Sequence, residues 1–197
     1  MTRQPIQLAV ILGSVRQGRF GPTVANWFAR QAGERDDLTV DVIDLATAAL
    51  PMTLPAFGTP PAPEAVLALR DLTPRLSAAD AFVVVTPEYN HSFPAALKNV
   101  IDWHHQQWHA KPVGFVSYGG ISGGLRAVEA LRLVFAELHA VTVRETVSFH
   151  DAWRQFDADG SPLSPDACNR AAGSLLDQLT WWAHALRDAK RVAPYLG

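Results

Sequence analysis

Short apolar runs recur along the chain, and each is followed by a turn cluster and then by a longer segment with helical spacing of its apolar residues. The run at 81–85 has no polar residue, as expected for a central strand that is covered on both faces. Strands are predicted at 6–12, 38–44, 81–85, 113–117 and 141–147. Helices are predicted at 22–31, 64–77, 95–107, 125–138 and 166–191.

The alternation of strands and helices is typical of a parallel sheet with helices on its faces. Right-handed crossovers favour the doubly wound strand order 2-1-3-4-5, in which the chain reverses its direction across the sheet between strands one and three. Ligands bind at such a switch point, beyond the carboxyl ends of the strands. We therefore predict an α/β fold with a five-stranded parallel sheet, helices on both faces, and a crevice bordered by the loops after strands one, three and four.

Length and composition agree with one globular domain. A chain of 197 residues, 48% of them hydrophobic, can bury a full core, so we predict a single domain over 1–197. Within it, 148–165 is predicted to be irregular and 166–191 to be a C-terminal helix. The segment 50–63 holds five prolines and is predicted to be a long loop, a kind of segment that often carries function.

Charge and cysteine content argue against several classes of partner. Lys and Arg number 17 against 19 Asp and Glu, and a formal net charge of −2 makes nucleic acid or an anionic membrane a poor partner. Cys168 is the only cysteine, so the chain cannot form an internal disulfide or a cysteine-pair metal site, as is usual in a reducing compartment. No apolar stretch approaches the roughly 20 residues of a membrane span. We expect a cytoplasmic protein.

The loop after the first predicted strand, residues 13–21, has the composition of an oxyanion site. It supplies glycines, the hydroxyl of Ser14 and the cations of Arg16 and Arg19 directly before a helix. Free N–H groups at a helix N-terminus and guanidinium groups both favour a phosphate. A plain turn with solvated arginines is the alternative. Arg19-Phe20 stands where a P-loop has Lys-Ser/Thr, and the dinucleotide pattern G-x-G-x-x-G is absent, so one terminal phosphate fits better than a pyrophosphate.

The loops after the third and fourth predicted strands can expose main chain to a flat ligand. Residues 87–90 read Pro-Glu-Tyr-Asn, a stiff stretch that can offer N–H and C=O groups to the edge of a heterocycle, with Tyr89 and Phe93 available to cover a ring face. Residues 117–124 include four glycines, which let main chain approach a ligand closely. Ordinary loops without a ligand are the alternative for both stretches.

Together the three loops resemble those of the NADPH-dependent FMN reductase family, which are flavodoxin-like quinone and flavin reductases. Residues 13–16 (Gly-Ser-Val-Arg) are similar to its phosphate loop, 87–90 to its flavin-ring loop and 117–120 (Ser-Tyr-Gly-Gly) to its third flavin loop. The similarity in order and spacing covers about 6–147. The cofactor-binding residues that it implies are Ser14, Arg16, Gly18, Arg19, Phe20, Gly21, Pro87, Glu88, Tyr89, Asn90, Ser117, Tyr118, Gly119 and Gly120.

The resemblance also implies how FMN is held. Ser14 and Arg16 would bind the phosphate, and the main chain of 88–90 would lie along the isoalloxazine edge. Many members have a Ser and an Asn where Arg19 and Gly21 stand here, so on that side the phosphate is expected to be held by Arg19 or by backbone alone.

An FMN-dependent NAD(P)H oxidoreductase is the implied activity. Hydride would pass from NADPH or NADH to flavin N5, and two electrons would leave for a quinone, a flavin or a similar small acceptor. Since the flavin carries this chemistry, we expect no catalytic side chain and no metal. Main-chain donors of the third loop near flavin N1 and O2 would stabilise the reduced anion. A flavodoxin-type electron carrier or a flavin-binding regulatory module is the alternative.

A homodimer or homotetramer is expected from the resemblance and from the apolar bulk of Trp103, Trp108 and Trp182, which exceeds what one small domain needs.

Two further patterns suggest rival chemistry. Residues 120–124 spell G-x-S-x-G around Ser122, and Asp151 and His184 follow in the order of a hydrolase triad. Ser122 stands five residues beyond Ser117, too far for a nucleophile elbow, so a serine hydrolase is the weaker interpretation.

A cluster of His104, His105 and His109 suggests a metal site, because the last two share a helix face. No third ligand stands at a useful spacing, so packed and solvated histidines are the favoured interpretation.

Overall fold

Five parallel strands form one sheet. The computed structural model describes residues 4–196, so the ends of the predicted domain, 1–3 and 197, lie outside the described residues. The strands are β1 (Ile6–Leu12), β2 (Leu38–Asp44), β3 (Ala81–Pro87), β4 (Pro112–Gly119) and β5 (Val141–His150). Their order is β2-β1-β3-β4-β5, with every neighbouring pair parallel. The predicted doubly wound sheet is confirmed, and its switch point lies between β1 and β3.

Helices cover both faces of the sheet. They are α1 (Gly21–Gly33), α2 (Pro63–Ala78), α3 (Ala95–Trp103), α4 (Leu125–Glu137) and α5 (Pro165–Val192). Trp27 of α1 and Leu175 of α5 belong to one core cluster, whereas Leu72, Leu97 and Leu131 of the other three helices belong to a second. Among the described residues, no helix combines the length and the apolar character that a membrane crossing requires.

β3 is the central strand, as its apolar run predicts. All seven of its residues are buried. Val83 and Val85 face the core under α1 and α5, and Phe82 and Val84 face the core under the other helices. Because both faces of this strand are covered, both of its side-chain rows are apolar from Ala81 to Val85.

The predicted helix at 95–107 is too long, because α3 ends at Trp103. His104 explains the early end. Its buried ring places Nδ1 2.9 Å from the carbonyl oxygen of Val100, where a continuing helix would bring a backbone N–H, and Nε2 3.0 Å from Thr73 Oγ1 of α2. A carbonyl oxygen only accepts, so Nδ1 carries the hydrogen. Burial lowers the pKa of His104, which keeps the ring neutral.

The segment predicted as irregular, 148–165, has regular structure at both ends. β5 runs through its first residues, a 3-10 helix follows at Ala152–Arg154, and α5 begins at its last residue. Aromatic packing orders the segment: the ring centroids of Phe149 and Phe156 lie 5.1 Å and 6.5 Å from that of Trp27. Contacts with α1, which is distant in the sequence, thus order a segment in which the local sequence pattern predicts no regular structure.

The tryptophans that suggested an oligomer are engaged within the chain. Trp108 has no exposed surface, and its ring centroid lies 4.7 Å from that of Phe82. Trp103 Nε1 donates to the carbonyl of Pro51 at 2.9 Å, and Trp182 packs partly buried against the core. Their bulk is therefore no reason to expect an interface.

Candidate functional site

A cleft of about 350 Å³ opens at the carboxyl edge of the sheet, beside the switch point. Four loops line it: the three that the sequence singles out and a fourth after β5. The lining residues are Ser14, Arg16, Gln17, Gly18, Arg19, Phe20, Pro87, Glu88, Tyr89, Tyr118, Gly119, Gly120, Ala152 and Trp153. The fold thus brings most of the predicted site residues together.

Three of the predicted residues, Gly21, Asn90 and Ser117, do not line the cleft. Ser117 is fully buried, and its Oγ donates to the carbonyl of Gly123 at 2.8 Å, which holds the glycine-rich loop. A Cβ at Gly21 would lie 2.6 Å from the hydroxyl oxygen of Tyr118, so only glycine fits there. Asn90 is exposed at the tip of the second loop. Ser117 and Gly21 therefore lie behind the cleft wall, where Ser117 holds the glycine-rich loop and Gly21 leaves room for Tyr118.

The first loop presents unpaired donors at the N-terminus of α1. The helix has no side-chain cap at Phe20 and no acidic residue in its first turn. Pro22 has no N–H and the Thr23 N–H donates to the carbonyl of Phe20 at 3.1 Å, so in the first turn the Gly21 N–H is the donor left for an anion. Arg16 is exposed, and its guanidinium has no partner within the described residues. Gly18, at φ +63, turns the loop so that the Arg19 N–H donates to the carbonyl of Arg16 at 3.3 Å. This end of the cleft suits a phosphate.

Arg19 lines the same loop, but its charge is paired. Nη1 and Nη2 donate to the two carboxylate oxygens of Asp44 at 2.7 Å and 2.5 Å, and Nη1 also donates to the carbonyl of Ser14. The hydrogen bonds from Arg19 hold the pKa of Asp44 below its ordinary value, so the carboxylate stays charged. Arg19 thus anchors the first loop to the end of β2, and its contact with a phosphate stays a prediction.

Two hydroxyl groups lie beneath the first loop. Ser14 is buried, and its Oγ lies 2.8 Å from Tyr89 Oη, so the first and second loops meet across the cleft. Tyr118 is 5% exposed, and its hydroxyl has no hydrogen-bond partner among residues 4–196. Burial raises the pKa of Tyr118, so the hydroxyl remains a donor. A buried donor without an acceptor costs about 1–3 kcal/mol, which a phosphate or hydroxyl-rich ligand would relieve.

Glu88 is the centre of a network between the second and third loops. Its side chain is 8% exposed and accepts hydrogen bonds from Ser122 Oγ at 2.6 Å and from the Arg126 backbone N–H at 3.2 Å. Arg126 Nη1 lies 3.1 Å from Glu88 Oε1 and 3.0 Å from His91 Nδ1. The hydroxyl of Ser122 is donated to a carboxylate, whereas a triad would pair it with the histidine, His184, that lies on α5. The geometry does not support a hydrolase.

A two-residue turn closes the tip of the second loop. The Tyr89 N–H donates to the carbonyl of Ser92 at 2.8 Å, with Asn90 at φ +49 and His91 at φ +73 between them. Positive φ at both central positions is a type I′ turn, which asparagine tolerates better than histidine does. The Glu88 N–H donates to the carbonyl of Tyr118 at 3.3 Å. The resemblance places the main chain of 88–90 along a ring edge, and the N–H groups of Glu88 and Tyr89 are thus already donated within the chain.

Two parts of the cleft wall are not predicted from the sequence: Gln17 in the first loop, and the whole fourth loop, from which Ala152 and Trp153 line the cleft. One signal was available for the fourth loop. Because β5 is parallel to its neighbours, its carboxyl end reaches the same edge of the sheet, and Trp153 stands three residues beyond that end.

His105, His109 and His139 form a separate ring cluster. The centroids of His105 and His139 each lie 4.7 Å from that of His109. Burial, and then the charges of the two neighbours, lower the pKa of His109. Across residues 4–196, no group of three or more His, Cys, Asp or Glu side chains is placed to hold a metal ion.

Comparison with known proteins matches this chain to the family model of NADPH-dependent FMN reductases over residues 6–154. An NAD(P)H-dependent FMN reductase of Schizosaccharomyces pombe is 35% identical over 122 residues, which are 60% of each chain. A probable NADPH:quinone oxidoreductase of rice is 33% identical over 181 residues, covering 88% of this chain and 90% of the relative. Among solved structures, a flavoenzyme NAD(P)H:(acceptor) oxidoreductase of Paracoccus denitrificans superposes with a TM-score of 0.69 at 27% identity, covering 91% of this chain and 98% of the other.

Proposed function

Because this chain belongs to the NADPH-dependent FMN reductase family and is an FMN-dependent NAD(P)H oxidoreductase, we propose that the cleft at the carboxyl edge of the sheet holds the FMN and that a quinone, a flavin or a similar small molecule is the electron acceptor. The names of the rice and Paracoccus relatives support such an acceptor. Bound FMN would accept a hydride from the nicotinamide and would then pass two electrons to the acceptor.

The observation that carries this proposal is the pair of unsatisfied donors at the N-terminus of α1. The guanidinium of Arg16 and the buried hydroxyl of Tyr118 both lack a partner among the described residues, and both belong to loops that line the cleft. The terminal phosphate of FMN would accept from Arg16, from Ser14 and from the Gly21 N–H at the start of α1. Tyr118 would donate to an oxygen of the same ligand.

The second and third loops would hold the flavin ring. Hydrogen bonds within the chain hold both loops in place, because Glu88 accepts from Ser122 and Arg126, and because the Tyr89 turn is closed by its own hydrogen bonds. Gly119 and Gly120 expose main chain at the cleft. These residues bind and orient the ring, and we propose no side chain as a proton donor or nucleophile.

The visible spectrum of the purified protein, taken before and after anaerobic NADPH, tests the proposal. We expect flavin absorbance that bleaches on addition of NADPH, and steady-state NAD(P)H oxidation with menadione or ferricyanide. A protein that binds FMN but turns over neither acceptor would be an electron carrier or a regulatory module. A protein that binds no flavin would overturn the proposal altogether.

We further propose a homodimer or homotetramer and a cytoplasmic location. Exposed apolar side chains in the proline-rich loop support an assembly: Met52 is 69% exposed and Phe57 fully exposed. The loop is anchored at its start, where Asn99 Nδ2 donates to the carbonyls of Leu50 and Pro51 at 3.2 Å. The single cysteine supports a reducing compartment. Light scattering that gave the monomer mass of 21.5 kDa at micromolar concentration would contradict the assembly, and cell fractionation tests the location.

A further inference from the structure

Trp153 is an exposed tryptophan at the wall of the cleft. It is 59% exposed and lines the cleft from the fourth loop. Its indole N–H has no hydrogen-bond partner within the described part of the chain. Single exposed apolar residues are common. One that lines a cleft with a bare ring face and a free N–H, however, offers the groups that a planar ligand uses.

Backbone contacts fix the turn that carries this indole. Asp151 has φ +45, a left-handed conformation that costs a residue with a Cβ on the order of 1 kcal/mol. Its N–H donates to the carbonyl of Gly120 at 3.1 Å, and its carbonyl accepts from the Arg154 N–H at 2.8 Å. Ala152, which is 1% exposed, anchors the turn in the core. Trp153 is thus held beside the third loop before any ligand arrives.

The indole lies next to the space that a side chain at Gly120 would fill. Its Cη2 atom is 3.6 Å from the point where a Cβ on Gly120 would stand. Gly120 has no side chain there, so the indole and the bare main chain together form one apolar wall. The cation that suits a phosphate is Arg16, which belongs to the first loop. Trp153 has no charge to offer a phosphate, and its chemistry suits a ring.

We propose that Trp153 is a binding residue of the cofactor site, whose indole packs against the flat ring of the flavin. The inference rests on the proposed function, since it requires a flavin in this cleft. Stacking of a heterocycle on an aromatic side chain changes affinity by roughly fivefold to a hundredfold. A contact with the flavin ring contributes to the affinity of every ligand that contains this ring. FMN and riboflavin should therefore be affected equally.

The test compares Trp153→Ala, Trp153→Phe and the matched control Trp181→Ala, which removes an indole that is 64% exposed on α5. Dissociation constants of the flavin-free proteins for FMN and for riboflavin are measured by quenching of flavin fluorescence. We expect Trp153→Ala to weaken both flavins by the same factor, roughly fivefold to a hundredfold. Trp153→Phe should retain most of the affinity, and Trp181→Ala should bind as the wild type does.

A second measurement covers the case in which Trp153→Ala does not fold. Riboflavin should quench part of the tryptophan emission of the wild type, and Trp153→Phe should lose a larger share of that quenching than Trp181→Phe. Unchanged affinities in Trp153→Ala, a loss confined to FMN, or equal quenching in the two phenylalanine variants would overturn the inference while the proposed function stood. A wild type that binds neither flavin would overturn both.

Discussion

Arg19 and Asp44 form a two-pronged ion pair that joins the phosphate-type loop to the end of β2. Both nitrogens of the guanidinium fork face carboxylate oxygens, at 2.7 Å and 2.5 Å, and the side chains are 15% and 31% exposed. The carboxylate neutralises Arg19 within the loop. Arg16, whose guanidinium is unpaired in the described chain, is therefore the cation that we assign to a phosphate.

Arg16→Ala should weaken FMN by about tenfold to a hundredfold, because a charged hydrogen bond is worth roughly 1.5–3 kcal/mol. Riboflavin has no phosphate, so its affinity should hardly change. Fluorescence titration of the flavin-free protein with each flavin measures both effects. Arg70→Ala, which removes another exposed arginine far along the chain on α2, is the matched control. Equal losses for the two flavins, or none, would count against a phosphate role.

Arg19→Ala should act differently, because this residue positions the loop. We expect FMN and riboflavin to lose affinity by the same factor, and the combined variant Arg19→Ala with Asp44→Ala to be no worse than either single variant. The coupling free energy of the pair should be about 1 kcal/mol in a double-mutant cycle of unfolding free energies. A loss confined to FMN in Arg19→Ala would show instead that Arg19 touches the phosphate.

The same pair predicts a response to acid. Hydrogen bonds from Arg19 depress the pKa of Asp44 below its ordinary value of 3.8. A carboxyl group whose pKa is depressed in the folded state stabilises that state at pH values above its ordinary pKa. This stabilisation is lost as the pH falls through the pKa of the folded state. The wild type should therefore lose more stability than Asp44→Asn as the pH drops below about 4. Urea unfolding at several pH values measures the difference, and parallel curves would contradict it.

The sheet could be predicted from sequence because burial alone decides it. The apolar run of β3 fixes a central strand, and the strand order then brings three unusual loops to one edge. The end of α3 could not be predicted, since it depends on a contact between His104 and Thr73 of another helix. The pairing of Arg19 with Asp44 depends on side-chain placement in the first loop and at the end of β2. Trp153 was missed because its segment has no periodicity and is ordered by distant aromatic rings.

Ser122→Ala should leave most reductase turnover intact. Its hydroxyl donates to the nearly buried carboxylate of Glu88, so we expect a loss of about 1–2 kcal/mol in the free energy of unfolding. Thermal unfolding and NADPH oxidation, measured on the same preparation, separate the two effects. A wild type that hydrolysed activated esters, with that activity absent in Ser122→Ala, would favour the hydrolase interpretation instead.

Lys111 should make stability depend on alkaline pH. It is 8% exposed and donates to the carbonyls of Leu76 and Ser77 at the end of α2. Burial, and then the charge of Lys190, lower the pKa of Lys111 to about 8 from 10.5. Between these two pKa values the unfolded chain binds more protons than the folded chain does. The free energy of unfolding therefore rises with pH across that window, by on the order of 3 kcal/mol at most. Lys111→Met should remove the rise, and an unchanged pH profile in that variant would contradict the assignment.

The hydrogen bond between Ser14 and Tyr89 bears on the cost of binding a ligand. It joins the first and second loops across the cleft at 2.8 Å, so the two loops hold each other in place. To bind a phosphate, Ser14 has to rotate only its hydroxyl group. Association of a ligand should then cost little conformational entropy in these loops.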